Sequence, residues 1–352
     1  MRLSRMPVAD VRPESAVTSP AGSRRSRRAP RVAAVLLALL TAAGAAAPGA
    51  ASAATSTQPM MFGAEANSRS DVQEHEQVLG GRLNGLRVYM KWDSKLFGAD
   101  QVWARDTGHT LFVSIRSARS NGTAVKFADV ANAKPGSALY ADIVRQAEQI
   151  KAFGAPVYIA YNHEPEAHEA WSYGTGPQFA AAWRNVISIY RNAGVTNAKY
   201  VWTMTSYGFI RTDEHRASLY YPGDAYVDHI AADGYNWYRC RTTKGKWTEL
   251  AEILEGQRQF GLKHPSKGLM VWEFGSAEDP AVAGRKAQWL RNATQLFTRP
   301  GYEQYKVALS WEGRGFTGDG PYCGFDYVSS TSAKQAWVDM GRSATFSASR
   351  VG

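Results

Sequence analysis

A single closed (β/α)8 TIM barrel is the fold class this sequence predicts, and three observations predict it. From residue 59 to about 340, short apolar runs alternate with longer amphipathic ones, which means strands alternating with helices and a parallel sheet. Eight runs are strand-like, at roughly 25–45 residue spacing, with no long linker between them. The 352-residue length suits one such barrel. An open doubly wound sheet is the weaker alternative. It would usually bring a glycine-rich phosphate turn after the first strand, and Gly63-Ala64-Glu65-Ala66 is not one.

The elements follow in order. Met60–Ala64 is the first strand and Asp71–Leu79 the first helical pattern; Leu86–Met90 and Leu111–Arg116 are the second and third strands. Ser137–Phe153 is helical, Val157–Tyr161 the fourth strand, Pro177–Ala193 helical and Tyr200–Thr205 the fifth strand. Val227–Asp233 is followed by the helix Trp247–Phe260, Leu269–Glu273 by Pro280–Phe297, and Val307–Trp311 by Thr331–Met340. Each strand is short and bounded by Gly, Pro, Asn or charged residues, as buried parallel strands are. The connections after the second and fifth strands read less clearly as helices.

Residues 1–54 stand outside this pattern. Eight arginines precede an apolar run from about Val32 to Ala47, and Ala51-Ser52-Ala53-Ala54 supplies small residues of the kind cleaved after an export signal. The expectation is a removed signal peptide and a mature catalytic domain over 55–352, secreted and extracellular, with the export route open. A retained membrane anchor is the alternative, but the apolar run is short for a span. Removing 1–54 takes away those eight Arg with Asp10 and Glu14, so the net charge falls from +10 to +4. No block of five or six basic residues remains, which takes away the main support for a nucleic-acid partner. With 44% hydrophobic and 20% charged residues the chain is no disordered protein, and two cysteines cannot make a disulfide scaffold or a four-cysteine zinc site.

In a parallel barrel the active site lies at the C-terminal ends of the strands. The fourth strand ends in Asn162-His163-Glu164-Pro165 and the seventh in Glu273-Phe274-Gly275. If the strand pattern continues through Asn162, alternation places Glu164 on the face of Ala160 and Tyr158; it places Glu273 on the face of Val271 and Leu269. Strands four and seven stand nearly across the mouth from each other. Two carboxylates facing one another over a pocket are what glycosidic cleavage requires, one to protonate the leaving oxygen and one to attack the anomeric carbon or activate water.

The ordered set His163-Glu164, Tyr221-Pro222-Gly223-Asp224, Tyr226-Val227-Asp228, Asp233-Gly234-Tyr235-Asn236 and Trp272-Glu273-Phe274-Gly275 resembles glycoside hydrolase family 26. That family of retaining (β/α)8 enzymes contains β-mannanases, some β-glucanases and β-1,3-xylanases. The resemblance covers nearly all of residues 59–340. It implies Glu164 as general acid/base, Glu273 as nucleophile, His163 as a neighbour that helps bind sugar hydroxyls, and Tyr235 as a phenol donating to the nucleophile. Mannanases of the family often carry His near the end of strand three, where this chain has Ile115-Arg116-Ser117. β-Mannan is the first expectation for substrate, with β-1,3/1,4-glucan or β-1,3-xylan as alternatives. A non-catalytic polysaccharide-binding barrel is the rival from another class.

Sugar rings stack on indoles, so Trp92, Trp171, Trp237 and Trp311, each near a strand end, join Asn236 and Arg116 as expected substrate contacts. Glu312 is a third acid in reach of the groove. Trp183, Trp289 and Trp337 fall within helical patterns and read as core. His163-Glu164-Pro165-Glu166-Ala167-His168 has one residue too many for a zinc-peptidase helix, and neither a G-x-S-x-G elbow nor a phosphate-binding loop is present. No metal, no cofactor and a monomer are expected. In an oxidising compartment Cys240 and Cys323, the only cysteines, are expected to form a bridge flanking strand seven.

Overall fold

In the computed structural model, which describes residues 59–240, 245–313 and 324–347, eight parallel strands pair in sequence order and the eighth returns to the first. The strands are β1 Met61–Glu65, β2 Gly85–Lys91, β3 Thr110–Arg116, β4 Val157–Tyr161, β5 Ala198–Thr205, β6 His229–Asn236, β7 Gly268–Ser276 and β8 Tyr305–Ser310. Nine helices follow them among the described residues: α1 Arg69–Leu79, α2 Ala99–Asp106, α3 Phe127–Ala131, α4 Ala138–Phe153, α5 Gly176–Asn192, α6 Ala217–Tyr220, α7 Leu250–Leu262, α8 Arg285–Leu296 and α9 Thr331–Arg342. This is the expected barrel. The two unclear connections are resolved as the eight-residue α2 after β2, and as one α-turn flanked by short 3-10 turns between β5 and β6. The export segment expected over 1–54 and the cysteine at 323 lie outside the described residues. No helix among the described residues is long and apolar enough to cross a membrane.

Local chemistry sets the helix ends. Ser68 caps α1 through the Asp71 amide, the Asp71 carboxylate answers on the Ser68 amide, and Gly80 closes the helix at φ +62°. Ser137 caps α4 through the Tyr140 amide.

Strand parity then sorts the side chains into two layers. Phe112, Tyr158, Val201, Met270 and Leu309 fill the barrel interior, while Val88, Ile159, Trp202, Val271 and Ala308 pack outward beneath the helices. Gly63 and Gly85 are register partners on β1 and β2, and a methyl group on Gly63 would lie 2.2 Å from the Gly85 carbonyl oxygen and 2.6 Å from Leu309. The absent side chains leave the space that Leu309 and Phe112 occupy. At the upper end of the barrel the inward rows become polar: Glu65 on β1; Arg87, Tyr89 and Lys91 on β2; Ser114 and Arg116 on β3; Asp233 and Tyr235 on β6.

β7 breaks this parity. Its partners on β6 run Ala232 to Val271 and then Asp233 to Glu273, and on β8 Ala308 to Val271 and then Ser310 to Phe274, so β7 carries one extra residue at Trp272–Glu273. Trp272 fills the interior with Met270, Phe274 packs outward, and Glu273 between them faces the mouth. The expected shared face of Glu273 with Val271 and Leu269 is therefore corrected. Those two pack outward, and the bulge turns Glu273 in.

Gly63→Ala should destabilise the barrel by about 3 kcal/mol or fail to fold, because the clash is with backbone and with a filled interior. Gly81→Ala, with no atom within 4 Å of the added methyl, should be nearly neutral. Urea unfolding of the two variants checks the contrast.

Candidate active site

A cleft of about 750 Å³ opens at the C-terminal ends of the strands. Its lining includes Glu164, Glu273, His163, Tyr235, Trp171, Trp237, Trp311 and Arg116 from the sequence reading. Trp92 and Asn236 are not part of it. Trp92 follows Lys91 with outward parity, is fully buried, and donates its indole N–H to Asp142 on α4 at 3.0 Å. Asn236 is likewise fully buried; its amide donates to Ser276 Oγ at 2.9 Å and its oxygen accepts the Thr248 amide at 3.1 Å. Both expected contacts with substrate are corrected by the same rule: each stands one residue out of phase with the row that faces the mouth. Glu312 lies outside this cleft, with its carboxylate accepting the Tyr327 amide at 3.0 Å.

Glu273 is 5% exposed and held by three donors. Oε1 accepts from Arg87 Nη2 at 2.9 Å and from the Tyr89 hydroxyl at 2.8 Å; Oε2 accepts from the Tyr235 hydroxyl at 2.6 Å. Both phenols keep their protons, because burial first and the Glu273 charge second push them well above the usual range. The Arg87 guanidinium is buried over the rings of Tyr89 and Trp272, 4.1 and 4.9 Å from their centres. Arg87 and Tyr89 were missed by the sequence reading. The signal was available: a charged residue in the middle of an apolar strand, two positions before a tyrosine on the same face.

Glu164 is delivered differently. β4 ends at Tyr161, and Asn162 and Glu164 both have left-handed backbone, φ +45° and +50°. Asparagine tolerates that region; glutamate pays about 1–3 kcal/mol for it. Neighbouring strands hold the turn: the Asn162 amide donates to Ile115 O at 2.8 Å, Asn162 Oδ1 accepts the Ser117 amide at 2.9 Å, and the Glu164 amide donates to Thr203 O at 3.1 Å.

His163, Glu164 and Asp233 bring one ligand atom each within 4.8 Å of one another, a spacing that could hold a cation. A proton also reconciles the two carboxyl groups. Asp233 is 2% exposed, neither of its oxygens has a hydrogen-bond partner, and burial, then Glu273 and Glu164, raise it well above the carboxylate range. His163 is held neutral by burial first and by the charges of Arg87 and Arg116 after that. Its Nε2, 3.9 Å from Glu273 Oε1, is beyond hydrogen-bond distance.

One flank of the cleft hangs on Glu166, which the sequence reading did not single out. Its Oε1 accepts from the Thr205 amide at 2.7 Å and the Thr205 hydroxyl at 2.6 Å, and its backbone carbonyl accepts the Trp171 indole N–H at 2.8 Å. Trp171, 45% exposed, stacks on His215 at 4.4 Å, and exposed Tyr207 lies along the same flank. Trp237 and Trp311 line the cleft around Tyr235.

Residues 111–273 match the model of the family described as glycosyl hydrolase family 26. Over this stretch the chain is similar to glycosyl hydrolase family 26. The matched stretch begins on β3, ends on Glu273 and contains Glu164. The chain is also 26% identical over 240 residues to Endoglucanase H of Acetivibrio thermocellus, covering 64% of this chain and 24% of that protein, so it spans about a quarter of this relative's length. Among solved structures it resembles a family-26 β-mannanase from Bacteroides ovatus (TM-score 0.57, 16% identity, 83% of this chain and 90% of that one). It also resembles a modular endo-β-1,4-mannanase from Cellulomonas fimi (TM-score 0.58, 17% identity, 84% of this chain and 74% of that one). At these identities the structural likeness speaks for the fold.

Burial raises Glu166 from 4.5 to about 7. The native state therefore binds its proton more tightly than the unfolded chain does. The stability this contributes is full below pH 4.5 and is lost as pH rises to about 7, a change of about 3 kcal/mol. Glu166→Gln deletes the titration, so the variant should gain on the wild type by that amount between pH 4.5 and 7.5 in urea unfolding. A gap that stays constant with pH would refute the assignment.

Proposed function

We propose that this chain is a secreted retaining β-glycanase that hydrolyses a β-linked polysaccharide, β-mannan first, by double displacement. The observation that carries the reading is Glu273, turned into the cleft by a strand bulge, held by Arg87, Tyr89 and Tyr235, and sharing that cleft with Glu164. In the first step a Glu273 oxygen forms a bond to the anomeric carbon as the bond to the leaving oxygen breaks, and Glu164 gives that oxygen its proton. In the second, Glu164 takes a proton from water as the water oxygen displaces Glu273. The three donors hold Glu273 in place with its negative charge compensated, and they accept charge back when the glycosyl–enzyme bond breaks. Exposed Trp171 and Tyr207 on one flank, with Trp237 and Trp311 by Tyr235, support a glycan running through the cleft and cleaved internally. The name of the curated relative makes β-glucan the second substrate to try.

The same reading includes removal of residues 1–54, a monomeric mature protein and a Cys240–Cys323 bridge. Cys240 is buried against Ala277 and Phe325, and its partner position lies outside the described residues. Thiol titration of the unfolded, unreduced mature protein should find no free thiol; two would refute the bridge.

Incubation with mannan, mixed-linkage β-glucan and xylan selects the backbone, and proton NMR of the first product should show the anomer retained. Glu273→Ala should abolish turnover on every substrate. Glu164→Ala should lower activity on polysaccharide by about 10²–10⁴-fold, with a much smaller loss on aryl glycosides whose leaving groups need little protonation. Undiminished polysaccharide activity in both variants would place the catalytic pair elsewhere.

A further inference from the structure

Two cations stand over the cleft with no described residue neutralising them. Lys91 ends β2 and Arg116 ends β3; they are direct register partners, and both belong to the inward rows, following Tyr89 and Ser114. Both line the cleft and both are exposed. Neither side-chain head makes a hydrogen bond or ion pair with a described residue. Like charges at adjacent strand positions repel, and the surrounding sequence shows that the fold neutralises cations nearby where it needs to. Arg119, three residues beyond Arg116, is paired to Asp142 at 2.6 Å, and Arg145 to the same carboxylate at 2.9 Å. Asp93, two residues after Lys91, accepts from the Ser120 amide and hydroxyl at 2.7 and 2.8 Å, and Glu65, which lines the same cleft, accepts from Asn67 at 2.9 Å. A third feature lies below them. Ser114 is 1% exposed and lines the cleft, and its hydroxyl has no hydrogen-bond partner. A buried hydroxyl without a partner is a group waiting for one.

We infer that the β2–β3 rim of this cleft is a subsite for a carboxylate-bearing sugar, so that the glycan it takes carries uronic acid units or side groups near the bond that is cut. The inference rests on the proposed β-glycanase reading and narrows its substrate class. A planar guanidinium offers a carboxylate a two-toothed contact, Lys91 adds a movable charge beside it, and Ser114 lies beneath as a neutral donor to a carboxylate or hydroxyl. The charge of Arg116 is already felt at His163, which places this rim against the acid/base turn.

The test compares one backbone in two forms: an acidic polysaccharide such as glucuronoxylan, and the same polymer after its carboxyl groups are reduced to alcohols. The mature protein should act on the acidic form with kcat/KM about 10-fold above the reduced form at low ionic strength, the order expected for two rim contacts to an ion. In about 0.5 M salt that ratio should approach one. In the Lys91→Gln/Arg116→Gln double variant it should fall to one, while Lys334→Gln, at an exposed position of α9 outside the cleft, should leave it intact. A ratio of one or less in the wild type, a ratio that survives the double variant, or an equal loss in Lys334→Gln would overturn the inference. If no polysaccharide is hydrolysed, the glycanase reading fails by itself. Affinity electrophoresis through gels containing each form then still decides the subsite: selective retardation by the acidic polymer, lost in the double variant, supports it, and equal mobility refutes it.

Discussion

The single extra residue in β7 is the constraint on which the site depends. With strict alternation, Trp272 inside would force Glu273 outward, into the apolar layer where Val271 and Phe274 pack. The bulge lets two successive residues face in. Trp272 then fills the top of the interior against Phe112, with ring centres 5.6 Å apart, and presents its face to Arg87. Arg87 in turn reaches Glu273. One backbone irregularity thus supplies the carboxylate, the floor beneath it and the stacking surface for its counter-ion.

The bulge also fixes the electrostatics of the mouth. Glu65, Glu164, Asp233 and Glu273 crowd a poorly solvated space with one fully buried cation, Arg87, and four ionised carboxylates there would repel by several kcal/mol per close pair. The charges are shared out unequally. Glu273 has an ion pair with Arg87 and two phenol donors. Asp233, with no donor on either oxygen, keeps its proton. His163 stays neutral for the same reason of burial, strengthened by Arg87 and Arg116, so it adds no second cation beside Glu273. The carboxyl groups of Glu273 and Asp233 differ in their immediate hydrogen-bond donors, and that difference follows from where each side chain leaves its strand.

Period and alternation made most of this barrel readable in the sequence. β4 is reproduced residue for residue, and the other strands differ at their ends by a few residues. The failures have specific causes. The β5–β6 connection is built from turns of three or four residues, too short to show a 3.6 period. Trp92 and Asn236 were taken as cleft residues because they stand near strand ends, yet nearness is not orientation: one step along a strand reverses the face, and both are spent on bonds to helix α4 or to Thr248 and Ser276. Glu273 was assigned inward by an alternation that the bulge breaks, and only the register with β6 and β8 reveals why it faces in. Arg87 was legible and overlooked. A charged residue is almost never fully buried without a partner, so its place in a central strand already required a carboxylate inside the barrel.

The two carboxylates of the site are held by opposite means. Glu273 lies on a strand and its position is set by ladder hydrogen bonds. Glu164 lies beyond a strand end, in backbone that glutamate does not choose, and its position is set by what grips the turn from both sides. Ile115 and Ser117 of the β3 side hold Asn162 before it; Thr203 holds Glu164 itself; and Thr205, through the Glu166 carboxylate, holds the chain two residues after it. The same Glu166 supplies the carbonyl that orients Trp171. The acid/base role proposed for Glu164 benefits from a turn held by backbone and neighbouring side chains, and none of these grips uses the Glu164 carboxyl. The backbone of Glu164 is fixed by its neighbours, so the strained turn sets where its carboxyl enters the cleft.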